Sequence, residues 1–248
     1  MGIIKTINRK CKKLKNIFFG DKDLDLSNKK ILITGSNSGI GLHVYKKIID
    51  KNNILAFTNN DSNEIDKLIS KKTTVIKCDF SNLKNLEIIN NKIIEFKPNI
   101  LINCAAKFGS ENQSLENFEI SDYNKILNIN VFSILYIIQQ SIKANCLEQI
   151  LNLSSEMGSI EMNKSGGYYL YRNSKSLLNS ITKNLAIDLK KKGVNVYCIH
   201  PGSVKTKMNT GGVDNPEYTA QKIINFCVIN DEKYTGKFID IEKKILKW

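Results

Sequence analysis

Proline is scarce in this chain. Only three occur in 248 residues, at positions 98, 201 and 216, and no proline-rich or repetitive stretch interrupts the sequence. That leaves no signature of a linker, so one domain is expected to follow a short extension. Six cysteines are present without C-x-x-C spacing, which argues against a zinc ribbon, a redox pair or a disulfide framework. Cys78, Cys104 and Cys198 instead end apolar runs and read as small core residues. No apolar run approaches the roughly 20 residues of a membrane span, and no cleavable leader is visible. A reducing cytoplasm is the simplest setting. Acidic residues are also in deficit, 24 against 37 basic ones, for a net charge of +13. Such an excess invites a nucleic-acid reading, yet the lysines fall in pairs at 46–47, 71–72 and 191–192 that suit solvated helix faces. With no aromatic-basic stacking motif or recognition helix, no nucleic-acid partner is expected.

Apolar runs suited to strands occur at 30–34, 53–58, 73–78, 100–103, 150–153, 195–200 and 237–239, with helical patterns between them, including 122–143 and 171–192. Strand and helix alternate throughout. That order predicts a doubly wound parallel sheet with helices on both faces, three layers in one domain. Ligands of such sheets bind beyond the carboxyl ends of the strands, where Thr34, Asp79, Asn103, Ser155 and His200 fall.

Two motifs carry chemistry. After the first strand come Gly35, Gly39 and Gly41, then a helical run from Leu42. A strand, a glycine turn and a helix N-terminus form a cradle for a dinucleotide pyrophosphate, since glycine lets the backbone approach it closely. Further on, Tyr171 and Lys175 stand four residues apart, on one face of a helix. An ammonium beside a phenol favours the phenolate, so the expectation is a tyrosine pKa lowered toward working pH. A tyrosine so tuned can pass a proton to or from an alcohol or carbonyl oxygen.

With TGSNSGIG at Thr34–Gly41, NCAA at Asn103–Ala106, NIN ending at Asn130, NLSS ending at Ser155, YRNSK at Tyr171–Lys175 and HPGSVKT at His200–Thr206, the chain resembles the short-chain dehydrogenase/reductase family, in family order from about Asn28 to Trp248. Its branch is similar to the C-factor and sniffer-like carbonyl reductases. The resemblance implies a Rossmann-type fold. It implies hydride transfer between NAD(P)(H) and a small carbonyl or alcohol. It also implies catalytic roles for Asn130 (proton relay), Ser155 (substrate oxygen), Tyr171 (general acid/base) and Lys175. Cofactor contacts are implied for Gly35, Ser38, Gly39, Ile40 and Gly41 at the turn, and for Asn59, Asp79 and Phe80 after the next two strands. Asn103, Ala105, Tyr171 and Lys175 are implied further along, then Pro201, Gly202, Val204 and Thr206. Of Ser154 and Ser155, the GSI that follows selects Ser155; Ser154 suits local backbone bonding. Asp79 also suits a helix cap toward Ser81. Phe132 and Ala106 stand where the family usually has glycine. His200 is read as shaping the turn before Pro201. Segment 203–216, with Gly211 and Gly212, is expected to be a mobile loop at the crevice mouth.

Cofactor choice rests on the end of the second strand. A carboxylate there selects NAD and an arginine accepts a 2′-phosphate. The chain has Phe57-Thr58-Asn59-Asn60 and only then Asp61, and Ser38 stands where many NADP users carry a base. The balance leans slightly to NADP over NAD. No metal site is expected. Residues 1–27 read as a basic extension ahead of a domain spanning 28–248. Within 1–20, six basic residues and no acid accompany an apolar stripe at Ile3, Ile7, Cys11, Leu14 and Phe18, a pattern for weak binding to an anionic membrane surface. A packed helix or a tail is the alternative. The oligomeric state stays open, a homo-oligomer included. The competing functional class is a nucleotide-binding regulatory or signalling protein on the same fold with little turnover.

Overall fold

A computed structural model describes residues 24–59, 63–68, 70–110 and 112–248. The expected basic extension at 1–20 and Asp61 lie outside these residues. In chain order the elements are β1 (Lys30–Thr34), α1 (Gly39–Ile48), β2 (Asn53–Thr58), α2 (Asn63–Asp66), β3 (Thr73–Lys77), α3 (Leu86–Phe96) and β4 (Ile100–Asn103). Then follow α4 (Ile120–Leu127), α5 (Ser133–Lys143), β5 (Gln149–Leu153), α6 (Tyr169–Asp188), β6 (Asn195–His200), α7 (Pro216–Ile229) and β7 (Phe238–Asp240). The seven strands form one parallel sheet in the order β3-β2-β1-β4-β5-β6-β7. The doubly wound three-layer reading holds.

Alternation along the strands explains the layers. In β1, Ile31 and Ile33 pack with Val44 and Ile48 of α1 and Ile223 of α7 on one face. Leu32, between them, packs with Ile89 of α3, Ile137 of α5 and Leu178 of α6 on the other. Strands buried on both faces read as continuous apolar runs, which is why β1, β2, β4 and β6 match the sequence reading residue for residue. The short edge strand β7 is shifted by one residue from the expected 237–239. The chain runs outward from β1 to β3 and returns to pair β4 with β1. That reversal opens a crevice at the carboxyl ends of β1 and β4.

Two differences bear on function. The single helix expected over 122–143 is broken by a π-helical turn, Asn128–Phe132, between α4 and α5. Asn130, within it, makes the tertiary bonds described below; π-turns of this kind recur at functional sites. Phe132, in that turn, is exposed. Upstream of Asn28 the chain is already docked. Leu24 N–H donates to Asn225 Oδ1 at 3.1 Å, Leu24 O accepts from Gln221 Nε2 at 2.9 Å, and Leu26 is buried in the core. Of the residues ahead of Asn28, Leu24 is thus bonded to α7 and Leu26 packs in the core.

Candidate active site

The glycine turn leaves β1 with Gly35 at φ +68° and enters α1 with Gly39 at φ +53°, a region only glycine occupies freely. Packing is tighter still at Gly41, where a Cβ would lie 2.2 Å from Gly35 O. Thr34 Oγ1 accepts from Ala105 N–H at 3.1 Å and ties the turn to the end of β4. Ser38, the cap of α1, is extended and makes no side-chain cap, and the first turn of α1 holds no acid. The uncapped N–H groups give this end of the crevice a positive potential. Gly35, Ser38, Gly39, Ile40 and Gly41 all line a cleft of about 490 Å³. Asn59, Asp79, Phe80 and Ala105 line it too. Asn59 Oδ1 accepts from Asn37 Nδ2 at 3.0 Å. Asp79 both borders the cleft and takes Ser81 N–H and Oγ, each at 2.9 Å, closing a turn; the cap of the helical turn that follows is Asn82, whose Oδ1 accepts from Lys84 N–H at 3.1 Å, so the cap reading for Asp79 is corrected.

The other end of the cleft is built from side chains. Tyr171 and Lys175 line it on successive turns of α6. Lys175 is buried, and its Nζ donates to Leu153 O at 2.8 Å. Burial lowers the Lys175 pKa to about 8, with Cys198 and Cys104 beside it acting in the opposite sense. The Tyr171 pKa is raised to about 12, mainly by burial, while the hydrogen bond to the Ser155 hydroxyl lowers it. This corrects the sequence expectation. The Lys175 ammonium is held by a carbonyl, with Nζ 5.8 Å from the Tyr171 ring centroid, and desolvation of the phenolate outweighs it. Cys104, read as core, borders the cleft.

The two serines point to different partners. Ser154 Oγ donates to Asn179 Oδ1 within the core, whereas Ser155 meets the Tyr171 phenol and accepts from Met157 N–H at 3.1 Å. Gly158 lets this loop close on α6, since a Cβ there would lie 2.8 Å from the Lys175 backbone carbonyl carbon. His200 does more than shape a turn. Its Nδ1 accepts from Glu156 N–H at 3.1 Å, and burial lowers its pKa, so the ring is neutral where it holds the serine loop. Asn130 is fully buried. Its Nδ2 donates to Lys107 O at 3.0 Å and Ser174 Oγ at 2.9 Å, and its Oδ1 accepts from Lys107 N–H at 2.8 Å. Both side-chain donors are therefore committed to structure.

Three of the expected cofactor residues do not line the cleft. Asn103 lies beneath it, donating to Asn152 Oδ1 at 2.7 Å. Val204 is buried, and Gly202, at φ +92°, faces the Asp214 carboxylate. Pro201 and Thr206 do line it. The loop after β6 is closed on itself by Ser203 N–H to Asp214 Oδ2 at 2.7 Å and Lys205 N–H to Asp214 O at 3.0 Å. Among the described residues, no group of His, Cys, Asp or Glu is arranged to hold a metal ion, and no helix is long and apolar enough to cross a membrane.

The sequence model of the short chain dehydrogenase family matches residues 29–216. This chain belongs to that family. Among curated proteins, it is 28% identical over 243 residues to the 3-oxoacyl-[acyl-carrier-protein] reductase FabG of Buchnera aphidicola subsp. Baizongia pistaciae, covering 87% of this chain and 96% of that protein. It is 27% identical over 141 residues to the C-signal of Myxococcus xanthus, covering 54% of this chain and 84% of that protein. Among solved structures, the carbonyl reductase Sniffer of D. melanogaster superposes with a TM-score of 0.82 at 25% identity, over 90% of this chain and all of that one. The NADPH-bound carbonyl reductase from chicken fatty liver does so with a TM-score of 0.79 at 22% identity, with the same coverage. This short-chain dehydrogenase is thus a nicotinamide-dependent oxidoreductase on a Rossmann-type fold, of a family that acts on small molecules.

Proposed function

We propose that this short-chain dehydrogenase interconverts a carbonyl and an alcohol, with Tyr171 as the group that gives or takes the proton. The observation that carries this reading is Tyr171 and Lys175 lining one cleft from successive turns of α6, with the Ser155 hydroxyl bonding the Tyr171 phenol. A hydroxyl on the phenol side can hold the substrate oxygen where the Tyr171 proton reaches it. A pKa raised to about 12 keeps Tyr171 protonated and so ready to act as an acid in reduction. Lys175, with a pKa near 8, stays cationic below that pH and stabilises negative charge developing beside it. Asn130 contributes by holding Lys107 and the π-turn. A water relay past it would have to use a carbonyl, because its donors are spent.

The residues fit a nicotinamide dinucleotide. Gly35, Gly39 and Gly41 keep side chains out of the turn, and the uncapped, acid-free start of α1 suits a pyrophosphate. When bound, the cofactor supplies or accepts the hydride. We favour NADP over NAD. Among the described residues, Asn37, Ser38 and Asn59 line this end of the cleft without a carboxylate, and Lys207 lines the cleft too. A cationic rim suits a 2′-phosphate. Fluorescence titration with NADPH and NADH, followed by a panel of aldehydes and ketones, tests both points. Tight NADPH binding without turnover on any carbonyl would favour the regulatory reading instead.

A further inference from the structure

Tyr171 owes its position to a residue with no motif around it. The described residues between β4 and α4 form neither helix nor strand, yet Gln113 within them is 2% exposed. Its Nε2 donates to Phe108 O and Ser110 O, both at 2.8 Å. Its Oε1 accepts from the backbone N–H of Tyr171 at 3.0 Å, and its backbone O accepts from Tyr169 N–H at 3.2 Å. Helix α6 needs such a partner. Its N-cap is Tyr168, at φ +51°, which offers no side-chain cap, so the first-turn N–H groups lack one. The loop that carries Gln113 is held tightly. Asn130 grips Lys107 at its start, and a Cβ on Gly109 would lie 2.5 Å from Ile126 Cδ1. Phe108, whose carbonyl Gln113 holds, has its ring tilted at 44° to the Tyr171 ring with the centroids 4.8 Å apart.

We infer that Gln113 is a positioning residue for Tyr171: it caps helix α6 from the facing loop and sets the phenol against Phe108 and Ser155. A primary amide supplies two donors and an acceptor on one rigid group, and this site uses all three. The inference rests on the reading of Tyr171 as proton donor. It is tested in the full chain with Gln113→Leu and Gln113→Glu, by thermal melting, NADPH binding, kcat on a reduced carbonyl and hydrogen exchange at the Tyr171 amide. Gln113→Leu should lower kcat by about tenfold or more while NADPH affinity stays within about twofold, because small misplacement of a reacting group is costly. Tyr171 amide exchange should quicken in that variant. In Gln113→Glu the ratio of kcat to that of the unaltered chain should rise as pH falls, since a protonated carboxyl can again donate to a carbonyl while accepting from Tyr171. A space-filling role would leave that ratio flat with pH, and that result overturns the inference. So do folded variants with unaltered kcat and Tyr171 exchange. If Gln113→Leu does not fold, Gln113→Glu decides by the same criteria. If the unaltered chain reduces no carbonyl, the functional reading fails by itself. Unchanged Tyr171 exchange in Gln113→Glu would then overturn the positioning role, and faster exchange would support it.

Discussion

At the glycine-turn end of the cleft, side chains are kept away and the backbone forms the surface: Gly35 abuts Ala105, and Gly41 leaves room for the carbonyl of Gly35. At the Tyr171 end, side chains make the surface, and distant ones hold it. Gln113, Asn130 and His200 each fix a backbone group of a neighbouring loop or helix, and Lys175 is tied to Leu153 O. At Gly35 and Gly41 the first end leaves no room for an added Cβ. The second depends on polar groups whose protonation follows from burial. Backbone shape suffices to hold a cofactor, whereas chemistry needs groups with tuned acidity.

The largest effect should come from the second end. Tyr171→Phe is expected to lower kcat by about 10²–10⁴ while NADPH binding persists, because only the proton donor is lost. Steady-state kinetics beside fluorescence titration separates the two; unchanged turnover would break the comparison. Next is Lys175→Met, which should abolish most activity yet stabilise the fold. The buried ammonium has a pKa of about 8, below the ordinary lysine value. Between those values the unfolded chain holds a proton that the folded one does not, so this contribution to stability rises as pH climbs, and its full cost is present below pH 8. Allowing for the lost bond to Leu153 O, the variant should be about 1–3 kcal/mol more stable at pH 7, with the gap closing at higher pH. Denaturant melts at pH 7 and pH 10 read this out.

Gly41→Ala probes the first end. Its Cβ would strike Gly35 O, a backbone atom that cannot swing aside, and overpacking of this kind costs about 1–3 kcal/mol. Weaker NADPH binding and a lower melting temperature are expected together. Gly211→Ala sharpens the contrast, since a Cβ there meets nothing within 4 Å; a change within about 0.5 kcal/mol is expected. The smallest effect concerns the N-terminus. A chain starting at Leu24 should keep NADPH binding and lose the weak sedimentation with anionic liposomes that we propose for residues 1–20, worth on the order of 1 kcal/mol per basic residue at low salt. Equal sedimentation of both chains would remove that role.

Much of this was legible from short stretches of sequence. β1, β2, β4 and β6 were visible because strands buried on both faces must be apolar throughout. The glycine turn and the Tyr171–Lys175 spacing were visible because each is local: a few consecutive residues fix the backbone path or the helix face. Gln113 was not, because a lone glutamine in a loop carries no pattern. Its partner Tyr171 is 58 residues away. Nor did the sequence reveal the π-turn, or that its Asn130 bonds Lys107 across the fold.

The sequence by itself determined the parallel sheet, the glycine turn and the placement of Tyr171 and Lys175 one helical turn apart, since these follow from periodicity and nearest neighbours. The tertiary structure alone decided the acidity of that pair. The spacing of Tyr171 and Lys175 suggested a phenol made more acidic, but the folded chain buries both groups, lifting the phenol to about 12 and lowering the ammonium to about 8. Desolvation is a property of everything packed around a group, and no stretch of sequence carries it.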